Sequence, residues 1–206
     1  MLPLPSALIF DCDGTLVLSA DLHYRAFTET FAAQGLHLDR AFYLARGGFA
    51  RRALIGAWIE DTGQAADIEA LVQGSIDHAQ RLAEAGACSP NPPVAALARA
   101  WGARPSAVAS NGEWPVVTSS LRACQLDGLF DTVVTLDQVA RAKPEPDMFL
   151  LAASRLNTAP QDCVVLEDSA EGIAAAGRAG MRALDVRKAE DLALITEWVA
   201  HLTQTP

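Results

Sequence analysis

The chain reads as an α/β protein: a Rossmann-like parallel sheet with helices on both faces, interrupted by an inserted all-helical cap subdomain. Three observations predict this. Residues 7–10 are an apolar run of strand length that ends in Asp11-Cys12-Asp13-Gly14-Thr15. Residues 17–85 carry apolar positions at helical spacing and no strand pattern. Beyond Pro93, short apolar runs alternate with amphipathic helices, as in a parallel sheet covered on both sides.

The first run is too short for a helix and ends in two carboxylates one residue apart. Carboxylates at the end of a buried strand are expensive to desolvate. A hard divalent cation such as Mg2+ makes use of them, because it takes one or two carboxylates together with phosphate oxygens. Taken alone, the stretch is also accounted for by a strand and an Asx turn. Gly14 allows a sharp turn where a Cβ obstructs. Cys12 alternates to the face opposite Asp11 and Asp13, which makes it a small buried filler rather than a nucleophile.

Helices are expected over 21–34, 39–46, 49–62 and 66–85, with Gly35, Gly47-Gly48, Gly63 and Gly86 at their ends. That is too much chain for one βα crossover. Residues 17–89 are therefore expected to form the cap, inserted into a core built from 1–16 and 90–206. Cys88-Ser89-Pro90-Asn91-Pro92-Pro93 is the clearest linker. After it the spacing predicts helices over 94–101, 114–124, 146–156, 172–179 and 191–203. Strands are predicted over 107–109, 132–136, 163–166 and 182–186.

Half of the 206 residues are apolar, which supplies a sizeable core. No apolar run approaches the ~18 residues of a membrane span. The net charge is −9, with Lys143 and Lys188 the only lysines, a balance that argues against nucleic acid. An anionic small molecule remains admissible, because the charge inside a pocket decides that. Cys12, Cys88, Cys124 and Cys163 form no C-x-x-C pair, and no Lys or Arg precedes the first apolar stretch as in a secretory signal. The expectation is a cytoplasmic protein with reduced thiols, working as a monomer or weak dimer.

In open α/β sheets, ligands bind beyond the carboxyl ends of the strands. Polar clusters follow the predicted strands there: Asp11-x-Asp13, Ser110-Asn111 and Glu167-Asp168, with Lys143-Pro144 in the loop after a fourth. Each alone has a plainer explanation. Ser110-Asn111 serves as a turn or cap, Lys143 as a solvated charge, and Glu167-Asp168-Ser169 as a helix start. Together, in order, they supply carboxylates for a cation, a hydroxyl and an amide for phosphoryl oxygens, and one fixed positive charge.

This series resembles the four motifs of the haloacid dehalogenase-like hydrolase superfamily. Asp11-Cys12-Asp13-Gly14-Thr15 matches the first, Ser110-Asn111 the second, Lys143-Pro144 the third, and Glu167-Asp168-Ser169 with Gly172 the fourth. The helical insert directly after the first motif resembles the cap of the β-phosphoglucomutase-like branch, and within it the small sugar-phosphate phosphatases acting on fructose 1-phosphate or 6-phosphogluconate. The resemblance implies a Mg2+-dependent phosphatase for a small phosphorylated sugar or sugar acid. It implies Asp11 as nucleophile and Asp13 as general acid and base. Mg2+ would be held by Asp11, the Asp13 backbone carbonyl and Asp168. Ser110, Asn111 and Lys143 would hold phosphoryl oxygens, and Glu167 would orient metal-bound water or Lys143.

In the cap, His23 lies one turn into the first helix, where the mutase branch has a His beside the general acid; a surface His is the plainer reading. Gly47-Gly48-Phe49-Ala50-Arg51 resembles the cap's specificity loop, with Arg51 placed to bind a distal phosphate or carboxylate unless it belongs to a solvated helix face. The cap has no lysine, which argues against a phosphonate-cleaving Schiff base and weakens a phosphosugar mutase. Asp13 favours phosphate esters over dehalogenation, because it can protonate a leaving alkoxide. A mutase and a non-catalytic binding module remain the alternatives.

Overall fold

Among residues 4–204, which the computed structural model describes, the chain opens with β1 (Ala7–Phe10), buried at every position. It turns at Gly14, whose φ of 88° a side chain resists, into the short strand β2 (Val17–Leu18). Four helices follow: α1 (Ala20–Ala33), α2 (Arg40–Leu44), α3 (Arg51–Thr62) and α4 (Ile68–Glu84). The Asp39 and Asp67 carboxylates start α2 and α4 by accepting from the Phe42 and Ala70 backbone N–H. The chain returns through β3 (Ser89–Pro90) and then alternates: α5 (Pro92–Trp101), β4 (Ser106–Ser110), α6 (Trp114–Ala123), β5 (Thr132–Thr135), α7 (Asp147–Arg155), β6 (Cys163–Glu167), α8 (Ala170–Arg178), β7 (Arg182–Asp185) and α9 (Ala189–Gln204).

The five longer strands form one parallel sheet in the order β5-β4-β1-β6-β7. Ile9 in the central strand is in register with Ala107 on one side and Val165 on the other. The two-residue side-chain period divides the core between the faces. Leu8, Phe10, Val108 and Leu166 pack with Trp101, Leu121 and Trp198 from α5, α6 and α9. Ile9, Ala107, Ala109 and Val165 pack with Phe149, Ala152, Ala175 and Ala176 from α7 and α8. Cys12 is fully buried in the first of these clusters, as a filler should be. All four cysteines are free thiols. No helix among the described residues is long and apolar enough to cross a membrane.

The structure departs from the sequence reading at the neck of the insert. β2 and β3 pair antiparallel, Val17 with Pro90 and Leu18 with Ser89, where the sequence reading has no strand in 17–85 and a bare linker at 88–93. Strands of two residues are too short to show alternation. Asn91 fastens this neck to the first motif: its backbone N–H donates to the Leu16 carbonyl and its side-chain amide to the Thr15 carbonyl, both at 2.9 Å.

Helices α1–α4 carry a core of their own, built on Phe27, Phe31, Leu54, Trp58 and Leu71, with Phe31 edge-on to Trp58 at 5.0 Å. A smaller cluster joins them to the rest: Leu22, Ala26, Ala79 and Ala83 pack around Val116 of α6. Helix starts differ from the expected ones by a residue or two. α5 begins at Pro92, whose missing N–H costs nothing in a first turn. α8 begins at Ala170, because the Ser169 hydroxyl accepts from the Gly172 N–H.

Candidate active site

The order of the sheet explains why distant polar residues meet. β4, β1 and β6 are neighbours, so Ser110, Asp11 and Glu167 emerge side by side at their carboxyl ends. Asp11 is 6% exposed, and its backbone N–H donates to the Leu166 carbonyl at 2.9 Å. Lys143 enters from the loop after β5. Its Nζ donates to Asp11 Oδ1 at 2.6 Å and to Glu167 Oε2 at 3.2 Å, and lies 4.8 Å from the centre of the Phe149 ring. Asn111 positions this lysine through its backbone: Asn111 Oδ1 accepts from the Lys143 N–H at 2.9 Å. The same amide donates to the Gly48 carbonyl at 3.0 Å, a direct link from the core to the loop between α2 and α3.

Asp11, Glu167 and Asp168 each offer an oxygen within 4.8 Å of the others. Thr15 Oγ1 donates to Asp168 at 3.2 Å, and a Cβ on Gly14 would collide with the Asp168 carboxylate, so glycine is needed for this approach. Burial and then the Glu167 charge raise the Asp11 carboxyl well above its usual range, against the pull of Lys143. Burial and Glu167 also push Asp168 up to about 6. Burial alone would lower Lys143, but Asp11 and Glu167 outweigh it and raise the ammonium further above its usual value. One ammonium among these carboxylates leaves negative charge uncompensated. An all-oxygen set of this kind fits a hard divalent cation.

Asp13 faces the other way. Its Oδ1 accepts from Ser19 Oγ at 2.7 Å and from His23 Nε2 at 2.8 Å, and its Oδ2 lies 3.5 Å from Ser110 Oγ. Burial would raise its carboxyl, but the His23 ring, that hydrogen bond and the Ser19 hydroxyl together hold it well below the usual carboxylate range. His23 Nδ1 lies 3.3 Å from Arg51 Nη2. Arg51 also donates from Nε to Glu113 Oε2 at 2.7 Å. Asp11, Asp13, Ser19, His23, Arg51, Ser110, Asn111, Lys143, Glu167 and Asp168 face one cavity of about 490 Å³ between the α2–α3 loop and the strand ends, with Glu113 behind Arg51.

The haloacid dehalogenase-like hydrolase family model matches residues 5–180 of this chain. The chain belongs to that family. Among curated relatives, this hydrolase is 36% identical over 182 residues to fructose-1-phosphate phosphatase YqaB of Escherichia coli (strain K12), across 88% of this chain and 96% of that one. It is similar in structure to CbbY from Rhodobacter sphaeroides in complex with xylulose-(1,5)bisphosphate, with a TM-score of 0.78 at 31% identity over 87% of this chain and 85% of that one. A β-phosphoglucomutase from Clostridium difficile has a TM-score of 0.81 at 21% identity, over 96% of this chain and 98% of that one, which shows the shared fold alone.

Within this haloacid dehalogenase-like hydrolase, the candidate catalytic, binding and metal-holding residues read from the sequence meet at one cavity. Asp11, Asp13, His23, Arg51, Ser110, Asn111, Lys143, Glu167 and Asp168 all line it. The plainer readings of two residues fail: His23 of α1 is bonded to Asp13, and Arg51 of α3 is 5% exposed rather than solvated. The side-chain carboxylate that joins Asp11 and Asp168 is that of Glu167, while the Asp13 side chain is turned toward His23 and Ser19. Three participants were not read from the sequence in these positions: Ser19 on Asp13, Ser169 donating to Glu167 Oε1 at 2.9 Å, and Glu113 on Arg51. Ser169 and Glu113 had a signal, since each directly follows a polar cluster at a strand end.

Proposed function

We propose that this hydrolase is a Mg2+-dependent cytoplasmic phosphatase, and that it cleaves a small phosphorylated sugar or sugar acid through an aspartyl-phosphate on Asp11. The observation that carries the reading is the Lys143 ammonium bridging Asp11 and Glu167 beside Asp168, all facing the cavity. The name of the Escherichia coli relative, fructose-1-phosphate phosphatase, supports a sugar phosphate.

The Asp11 and Asp168 carboxylates and the Asp13 backbone carbonyl would hold Mg2+. Bound there, it offsets the repulsion between the Asp11 carboxylate and a phosphate dianion. Asp11 attacks phosphorus, and the bond from phosphorus to the sugar oxygen breaks. Asp13, ionised while Ser19 and His23 donate to it, first takes up a proton from solvent, gives it to that leaving oxygen, then takes one from the water that attacks phosphorus and frees Asp11. Lys143, Ser110 and Asn111 hold the transferring oxygens, with Glu167 keeping Lys143 in place. His23 and Ser19 hold Asp13 ready between its two proton transfers. Residues 17–89 act as the cap, whose Gly48 carbonyl already rests on Asn111 and whose closure excludes bulk water.

The test is phosphate release from a panel of phosphorylated metabolites, with Mg2+ and with a chelator. Release that needs Mg2+ and is lost in Asp11→Asn is expected. Isomerisation of glucose 1-phosphate without release would support a mutase instead. Binding without turnover across the panel would favour a non-catalytic module.

A further inference from the structure

The cap wall of the cavity carries a cation whose charge is already offset. Arg51 and Glu113 form an ion pair at 2.7 Å, with side chains 6% and 10% exposed. Arg51 Nη2 faces His23. Arg51 Nη1 is buried with no hydrogen-bond partner. A buried donor without an acceptor is costly, so Arg51, which lines the cavity, keeps hydrogen-bonding capacity for a ligand oxygen that reaches its guanidinium. An ion-paired guanidinium offers that oxygen a hydrogen bond but little net attraction for a negative charge. A second phosphate or a carboxylate placed there would also meet the Glu113 carboxylate.

The remaining charges on the wall agree. Lys143 is held by Asp11 and Glu167, and Arg187 is paired with Asp185 at 2.8 Å. Arg46 is the one lining cation without a carboxylate partner among the described residues. It is turned onto Phe42, with Nη1 on the Phe42 carbonyl at 3.1 Å and its guanidinium 3.6 Å from the ring centre. Glu171, half-buried like Arg46, brings the opposite charge to the same cavity.

We infer that Glu113 selects the substrate by the charge of its far end: by offsetting Arg51, it admits phosphomonoesters whose other groups are neutral hydroxyls and disfavours bisphosphates and phosphorylated sugar acids. The inference rests on the phosphatase reading and narrows it. Glu113 is a positioning residue, acting through Arg51.

The experiment measures kcat and KM for the parent and for Glu113→Gln on fructose 1-phosphate, fructose 1,6-bisphosphate and 6-phosphogluconate, with p-nitrophenyl phosphate as reference. The parent should favour fructose 1-phosphate by about tenfold or more in kcat/KM. Glu113→Gln unmasks Arg51 and should lower KM for the two substrates with a second anionic group by about tenfold, with much smaller changes in kcat. A parent that favours the bisphosphate or the sugar acid would overturn the inference. So would a variant whose KM values all move together, as a merely structural role predicts. Should Glu113→Gln not fold, the parent's preference decides alone, and Arg46→Gln sharpens it: the preference should persist there. No release from p-nitrophenyl phosphate by the parent would sink the phosphatase reading and this inference together; release there with the wrong preference sinks only the inference.

Discussion

Lys143 Nζ lies 2.6 Å from Asp11 Oδ1, although 132 positions separate the two residues. Both side chains are almost fully buried, at 2% and 8% exposure. Such a pair persists only with further partners, and Glu167 and the Phe149 ring supply them. The contact joins the loop after β5 to the end of β1 across the intervening strand β4, so it reports that the sheet order has been reached.

Lys143→Met keeps the aliphatic stem and removes the charge. Phosphate release should fall by about 10² to 10³ in kcat, the loss expected for one group that stabilises developing charge. The metal-free variant should also melt lower, because Asp11 and Glu167 lose the cation that bridges them. Steady-state kinetics and a thermal melt check both parts. Near-normal turnover would remove Lys143 from the proposed chemistry.

His23 touches Asp13 and not the phosphate end of the site, so its loss should depend on the leaving group. His23→Ala should slow release from a sugar phosphate by about 10² or more, since an alkoxide needs a proton to depart. Hydrolysis of p-nitrophenyl phosphate should suffer much less, because p-nitrophenolate leaves without one. Equal losses on the two substrates would show that His23 does not act through protonation of the leaving oxygen.

The core of this site was legible because each motif sits at a strand end, and strand ends are readable from short apolar runs. Asp11, Ser110 and Glu167 followed from the rule that ligands bind beyond the carboxyl edge of a parallel sheet, taken with their occurrence together and in order. Lys143 was legible only in company, since a lysine before proline is ordinary on a surface. What stayed hidden depends on tertiary approach. The β2–β3 ribbon is too short for any periodicity, and nothing in the sequence marks the Ser19 hydroxyl as a partner of Asp13. Glu113 escaped because its partner Arg51 lies 62 positions away on a different element. No local pattern records that an arginine at the start of α3 reaches a carboxylate at the start of α6.

Two glycines in the same helix should respond in opposite directions to alanine. A Cβ on Gly172 would collide with the Glu167 carboxylate, whereas a Cβ on Gly177 meets nothing within 4 Å. Gly172→Ala should destabilise by about 1–3 kcal/mol through overpacking, and should lower activity because Glu167 holds Lys143. Gly177→Ala should stabilise by about 0.5–1 kcal/mol, the usual gain inside a helix. Denaturant melts of the two variants check the contrast. Similar shifts would mean that Glu167 yields freely.

The metal-free protein should lose stability as pH rises between the ordinary carboxylate value of 3.8 and about 6. The folded Asp168 carboxyl titrates near 6 because burial and the Glu167 charge disfavour its ionised form. A raised folded value means that the folded state binds the proton more tightly than the unfolded chain does. Its contribution is therefore complete below 3.8 and gone once pH has passed through about 6. Asp11 is raised as well and adds in the same sense, while the depression of Asp13 acts below this window. Mg2+ bound to ionised carboxylates should reverse the trend, so its stabilisation of the fold should grow as pH rises toward neutrality. Paired thermal melts from pH 4 to 7, in chelator and in Mg2+, measure the difference directly. The two curves should diverge upward with pH in the parent and much less in Asp168→Asn. Parallel curves in the parent would rule out these carboxylates as the groups that couple metal to stability.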